Sequence, residues 1–238
     1  MSRQSACYAI IPAAGRSERM GRSKLLLSWS GAGDAISTLL DHVLQAWTSS
    51  QVSRTVVVIR TDAEPAIKRI CQSHGVDVVL ADDPVDMKAS CLRGLEHLSQ
   101  RYSPVPQDHF FICPSDIPGI NTELIDHLIR EAERDDGGQA GEHVIVPTYQ
   151  RRRGHPVLFP WSMAGRLALL RSDQGVNALV DSAAVVEVAI SESPEKMGDI
   201  DTPAEYAAAA RLFAESIREM PPHPSHANFS SRSERACE

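Results

Sequence analysis

Three stretches hold the residue types that can do chemistry. The first, residues 9–29, reads AIIPAAGRSERMGRSKLLLSW: an apolar run opens into a loop with Gly15 and Gly21 among Arg16, Arg19, Arg22 and Lys24. Glycines allow a backbone to approach a ligand closely, and successive N–H groups in such a loop can ring an anion while the cations supply charge. The spacing excludes two other phosphate loops. GxxxxGK[ST] fails because five residues separate Gly15 from Gly21 and the lysine comes only at Lys24, and no GxGxxG occurs. The second stretch, HFFICPSDIPG at 109–119, delivers Asp116 at the end of an apolar run that breaks at Pro118-Gly119. A carboxylate there is either a turn or cap residue or one of the hard oxygen ligands that Mg²⁺ takes. The third is GDIDTPAEY at 198–206. Asp199 and Asp201 alternate along an extended segment, so their side chains point the same way. Thr202-Pro203-Ala204-Glu205 fits a capping box with proline at the first helical position. Either aspartate serves the helix dipole or is a second metal ligand.

The elements that must position these residues alternate along the chain. Apolar, β-branched runs predict strands at 7–12, 54–60, 76–80, 109–114, 142–148, 155–159 and 184–190. Helical patterns lie near 36–48, 63–74, 87–101, 121–134, 161–171, 175–182 and 203–219. Such alternation predicts a single α/β domain over residues 6–219, Rossmann-like, with a mostly parallel central sheet and helices on both faces. Ligands then gather at the carboxyl ends of the strands, where the cationic loop begins. Residues 135–141 read as a surface loop, and 220–238 as a disordered tail in which His223 and His226 are either solvated, the favoured reading, or a metal-binding pair.

Composition narrows the function classes. A net charge of −7 argues against a general nucleic-acid binder, so any bound anion is held by a local cluster. Five cysteines without a CxxC pair suit a reducing cytoplasm better than a disulfide framework or a zinc site. The apolar stretch near the start is too short for a signal peptide, and no run approaches a membrane span.

Five motifs, PAAGRSERMGRSKLLL, PSDIP, RRGHPVLF, SDQG and DIDTPAEY, taken in order from about residue 9 to 206, resemble the nucleotidyltransferases that act on molybdenum cofactor, most closely the cytidylyltransferases among them. The first motif is shared with other cytidylyl and sugar-nucleotide transferases, and RRGHPVLF narrows the resemblance to the molybdenum branch. The resemblance implies a GT-A-like nucleotidyltransferase fold with a nucleoside triphosphate lying along Pro12, Ala13, Ala14, Gly15, Arg16 and Ser17. Arg19 and Lys24 would then hold its phosphates, Ser90 would lie near the nucleoside, and Asp116 and Asp201 would hold Mg²⁺, with Arg19, Lys24 and Asp116 catalytic. The alanine pair Ala13-Ala14 accompanies users of CTP, where relatives using GTP tend to carry glycines. Lys88, Ala89 and Asn177 depart from the family pattern.

For the acceptor, a molybdopterin-type phosphate, the implied residues are His155, Arg153 and Asp173, with Arg152 and Arg153 receiving phosphate. His155 has an alternative as a structural histidine opening a strand. A molybdoenzyme or chaperone is the implied partner. Three other readings stay open: a transferase for a sugar or alcohol phosphate, a guanylyltransferase for molybdenum cofactor, and a nucleotide-binding regulator without turnover.

Overall fold

The run Tyr8-Ala9-Ile10-Ile11 has no turn former before Pro12, and in the computed structural model it becomes β1 (Cys7–Pro12), buried on both faces at the middle of the sheet. The structure describes residues 5–29, 37–82, 86–135, 143–191 and 197–219. The expected tail at 220–238, with its two histidines, and nearly all of the expected loop at 135–141 lie outside them. The further strands are β2 (Ser28–Trp29), β3 (Ser37–Thr38), β4 (Arg54–Arg60), β5 (Asp77–Ala81), β6 (His109–Ile112), β7 (His143–Tyr149), β8 (Arg152–Arg153), β9 (Val157–Pro160) and β10 (Ala184–Ile190). The helices are α1 (Leu39–Thr48), α2 (Pro65–Ser73), α3 (Met87–Tyr102), α4 (Thr122–Asp135), α5 (Ala164–Ala168), α6 (Asn177–Asp181) and α7 (Pro203–Glu219).

The main sheet runs β10-β7-β9-β6-β1-β4-β5, with β8 paired to β7. β1 is parallel to both β4 and β6, and Ile10 stands between Val56 and Ile112. β9 is antiparallel to β6, with Val157 opposite Ile112 and Pro160 opposite His109. This reversal carries the residues that precede β9 to the edge where β1, β4 and β6 end. The expected mostly parallel α/β sheet is therefore observed, with the inserted β9 and the short β8 running the other way.

Alternation along β1 splits the core in two. Ala9 and Ile11 face a cluster closed by α1, α2, α4 and α7, whereas Tyr8 and Ile10 face one closed by α3, α5 and α6. The helix expected over 161–171 divides into a 3₁₀ turn (Trp161–Met163) and the short α5. The described cysteines are free and buried, and among the described residues no helix is long and apolar enough to cross a membrane.

Helix α3 presses Gly94 onto β1: a Cβ there would come within 2.6 Å of Ile10 Cγ2, and Ile10 is fully buried with no room to move. Gly94→Ala should therefore cost about 1–3 kcal/mol through overpacking, despite alanine's better helix propensity. Urea unfolding checks this, and an unchanged midpoint would contradict the close approach.

Candidate active site

The site starts one residue past β1. Ala13 N–H still donates to Val58 O at 2.8 Å, after which the chain leaves the sheet. Ser17 and Gly21 both take left-handed conformations, at φ 52° and 65°, and bracket a 3₁₀ turn at Glu18–Met20. The non-glycine Ser17 carries strain there, and its Oγ accepts from Lys24 N–H at 3.2 Å, bracing the loop on itself. A second 3₁₀ turn (Lys24–Leu26) buries Leu25 in the core and sends Lys24 to the opposite side, across the strand ends.

Asp116 meets it there. The backbone continues β6's alignment with β1 through Cys113 N–H to Ile10 O at 3.2 Å, and the carboxyl sits buried just beyond. Ile200 N–H donates to Asp116 O at 3.0 Å, which ties the segment of Asp199 and Asp201 to the Asp116 turn. Glu205 then fixes the start of α7: its carboxylate accepts from Thr202 N–H at 2.8 Å and Asp201 N–H at 2.9 Å, and its own N–H donates to Thr202 Oγ1 at 3.3 Å. The capping box read from the sequence is present. Lys24 Nζ donates to Asp116 Oδ2 and, at 2.9 Å, to Asp201 Oδ1, while Arg19 Nη2 reaches Asp201 Oδ2 at 2.6 Å.

These contacts set the charge states. Burial holds the Asp116 carboxyl above the ordinary carboxylate range, with Lys24 opposing. Burial alone would lower the Lys24 ammonium, but Asp116 and Asp201 together raise it above the usual lysine value. Asp201 is pulled below its ordinary value by its hydrogen bond to Lys24 and by Arg19. The pair suits a divalent cation: Asp116 Oδ1 is buried without a hydrogen-bond partner, a hard anionic oxygen of the kind Mg²⁺ takes. Among the described residues no group of three or more histidine, cysteine, aspartate or glutamate side chains converges on one point.

A cavity of about 690 Å³ opens over this triad. Pro12, Ala14, Gly15, Arg16, Ser17, Arg19, Lys24, Ser90, Asp116 and Asp201 all line it. Ala13 turns instead toward the core and a second cavity of about 380 Å³ behind the loop. Sequence reasoning missed Arg60, Asp86 and Ser115 on the first cavity. A signal existed for Arg60, a cation ending the apolar run of β4, but none marks Asp86, which caps α3 through Ala89 N–H at 2.7 Å.

A third cavity, of about 280 Å³, shares Pro114 with the first and is lined by His155, Arg152, Arg153 and Asp199. Arg153 is held by Glu187 at 2.9 Å and Asp181 at 3.5 Å, so its charge is already paired. Asp173 lines none of these three cavities; exposed, it pairs with Arg171 two residues away. Its loop is tied to α3 by Lys88 Nζ, which donates to Arg171 O at 2.6 Å and Gln174 O at 2.8 Å.

A glycine-bearing cationic loop and two carboxylates thus line one cavity at the carboxyl edge of a mostly parallel sheet. The MobA-like NTP transferase domain matches residues 9–188, and the chain belongs to this family of nucleotidyltransferases. A Mycobacterium marinum protein named "Probable molybdenum cofactor guanylyltransferase" is 24% identical over 213 residues, covering 85% of this chain and 92% of its own. The molybdenum cofactor cytidylyltransferase of Escherichia coli is 25% identical over 219 residues, covering 89% and 99%. The crystal structure of Rv0371c from Mycobacterium tuberculosis superposes with a TM-score of 0.68 at 26% identity, covering 89% of this chain and 100% of that one. Rv0371c has also been solved in complex with manganese, at 23% identity and a TM-score of 0.65 over 87% and 99% of the chains.

Lys24→Met tests the triad through stability. Asp116, raised when folded, contributes stability below its ordinary pKa that is lost as pH rises through the raised value. Asp201, lowered, contributes stability that is present at neutral pH and lost on acidification. Without the ammonium both carboxylates move upward, so the variant should be weaker than the parent by about 3 kcal/mol at pH ~8. The gap should close as pH falls through the carboxylate range. Thermal melts across pH check this, and a gap independent of pH would refute the electrostatic account.

Proposed function

We propose that this chain transfers a nucleoside monophosphate, CMP from CTP, to the phosphate of a molybdopterin-type acceptor and releases pyrophosphate. The observation that carries the reading is the convergence of Lys24, Asp116 and Asp201 beside the glycine-bearing loop, with a separate cavity opening past Asp116. Support for the acceptor comes from the names of the bacterial relatives. Support for cytidine comes from Ala13-Ala14 in the loop and from the Escherichia coli relative, against the guanylyltransferase name of the Mycobacterium marinum one.

The chemistry suits these residues. A phosphate monoester is already ionised at neutral pH, so its oxygen attacks the α-phosphorus in line without a general base. The obstacle is the meeting of two polyanions, since unit charges 4 Å apart repel by ~4 kcal/mol at an effective dielectric of 20. Loop N–H groups, Arg16, Arg19 and Lys24 bind and orient the triphosphate, and Lys24 stabilises charge as pyrophosphate departs. Mg²⁺ bound by Asp116 and Asp201 would supply further charge neutralisation at the α-phosphate. The manganese complex of Rv0371c accords with a divalent ion in this fold. A molybdoenzyme or chaperone that takes the product is the partner this reading implies.

Pyrophosphate release measures the machinery. Lys24→Met, assayed below its melting transition with saturating nucleotide, should lose about 10²-fold or more, by analogy with removing one preorganised transition-state contact. Asp116→Asn and Asp201→Asn should each be strongly impaired, and the double variant little worse than the worse single one, because groups acting as a unit are non-additive. Additive losses would separate the two carboxylates.

Base choice is read by competition. CTP should be used at least tenfold better than GTP, ~1.4 kcal/mol, at equal concentrations. Equal use or a preference for GTP would overturn the cytidylyl assignment, and transfer to sugar or alcohol phosphates alone would overturn the acceptor.

A further inference from the structure

The segments that carry Lys24, Asp116 and Asp201 meet a second time, at one imidazole. His42, on α1, lines none of the three cavities and is half-buried beside the core cluster closed by α1 and α7. Its Nε2 lies 2.8 Å from Pro118 O. A carbonyl only accepts, so Nε2 carries the proton and donates. The ring packs against Trp29, with centroids 5.8 Å apart, and edge-on against Phe213, at 5.6 Å and 87°.

Each of these neighbours belongs to the segment of one member of the triad. Trp29 follows the 3₁₀ turn of Lys24 and is buried. Pro118 lies two residues past Asp116. Phe213 is on α7, whose Glu205 accepts from Asp201 N–H. Two more bonds join the same segments: Leu39 N–H, opening α1, donates to Leu27 O at 2.9 Å, and the Tyr206 hydroxyl of α7 donates to Ser28 O. The ion pairs of the triad do not by themselves fix where the segments sit, because charge attraction has little directional preference, whereas a hydrogen bond and edge-on ring contacts do. An anion that draws on Lys24 also weakens its bonds to the carboxylates. The three groups are then held in place by contacts the anion does not touch.

We infer that His42 is a positioning residue of the site: through one hydrogen bond and two ring contacts, made outside every cavity described, it sets the segments of Lys24, Asp116 and Asp201 relative to one another. Its effect on turnover rests on the transferase reading, and its coupling to the triad does not.

The test uses the full chain. His42→Phe keeps a ring between Trp29 and Phe213 but has no N–H for Pro118 O. His42→Gln places an amide nitrogen near the Nε2 position; burial lowers the pKa of His42, so a neutral donor is the fair substitute. Leu167→Ala opens a void in the other core cluster, on α5, and is the control for simple destabilisation. Thermal melts need no nucleotide. The loss of melting temperature caused by Lys24→Met at pH ~8 should shrink by about half or more in the His42→Phe background and stay unchanged in the Leu167→Ala background, since distant sites without shared partners are additive. In pyrophosphate release below the melting transition, His42→Phe should lose about tenfold or more in kcat, with KM for nucleotide moved less than about threefold. His42→Gln should recover part of that loss, and Leu167→Ala should keep its kcat. Additive melting losses, no recovery in His42→Gln, or equal kcat losses in His42→Phe and Leu167→Ala would each overturn the inference. Where His42→Phe fails to fold, Phe213→Leu, which leaves the Pro118 bond and loosens only the seat of α7, carries the same melts, and additivity with Lys24→Met overturns it there. A parent chain that releases no pyrophosphate would sink the transferase reading and leave the coupling standing. Additive melts with normal turnover in the variants would sink this inference alone.

Discussion

A single ammonium group joins the parts of this molecule that matter. Lys24 Nζ bonds to Asp116 and Asp201, which lie 92 and 177 positions away in the chain. Each partner arrives by a different route: Lys24 by the 3₁₀ turn anchored on Leu25, Asp116 by the buried strand β6, and Asp201 by a capping box and the Ile200 to Asp116 backbone bond. With the carboxylates this close and one of them buried, their repulsion would be severe without a cation between them. The fold of the whole carboxyl edge is therefore conditional on that charge.

The same pairing shapes how the cavity meets a ligand. Its lining carries Arg16, Arg19, Lys24 and Arg60 against Glu18, Asp86, Asp116 and Asp201, equal numbers of each sign. Arg60 is already bound to Asp62 and Arg19 to Asp201. Any anion that enters must therefore exchange existing ion pairs for new ones, and such exchange discriminates against anions that cannot supply several strong acceptors at once. Net charge alone would never have indicated this site, since the chain as a whole is negative.

Much of this was legible beforehand, for reasons that can be named. Strands β1, β4 and β10 coincide with their sequence runs because buried apolar segments bounded by turns leave little choice. The start of α7 was readable because Thr202, Pro203 and Glu205 act locally. The direction of β9 was not, since an apolar run such as VLF reads the same whichever way it enters a sheet, and only pairing with β6 and β7 decides. The hairpin strands β2 and β3 and the pair β8 are two residues each, too short for a period to appear. Asp173 was placed with the acceptor by motif, but local pairing with Arg171 holds it at the surface. Conversely Asp86 and Ser115 reach the larger cavity through tertiary placement that no spacing encodes, whereas Arg60 could have been found as the cation ending the apolar run of β4.

The reversed strand divides the molecule's labour. Everything lining the larger cavity, apart from Asp201, comes from residues 12–116, whereas the smaller cavity draws chiefly on 149–199. β9 is the seam between the two halves, joined to β6 by backbone bonds that are indifferent to side-chain identity. Substitutions at residues 149–155 of the smaller cavity can remodel it while leaving the loop of the larger one untouched. A lineage built on this plan can reshape one cavity while inheriting the other whole.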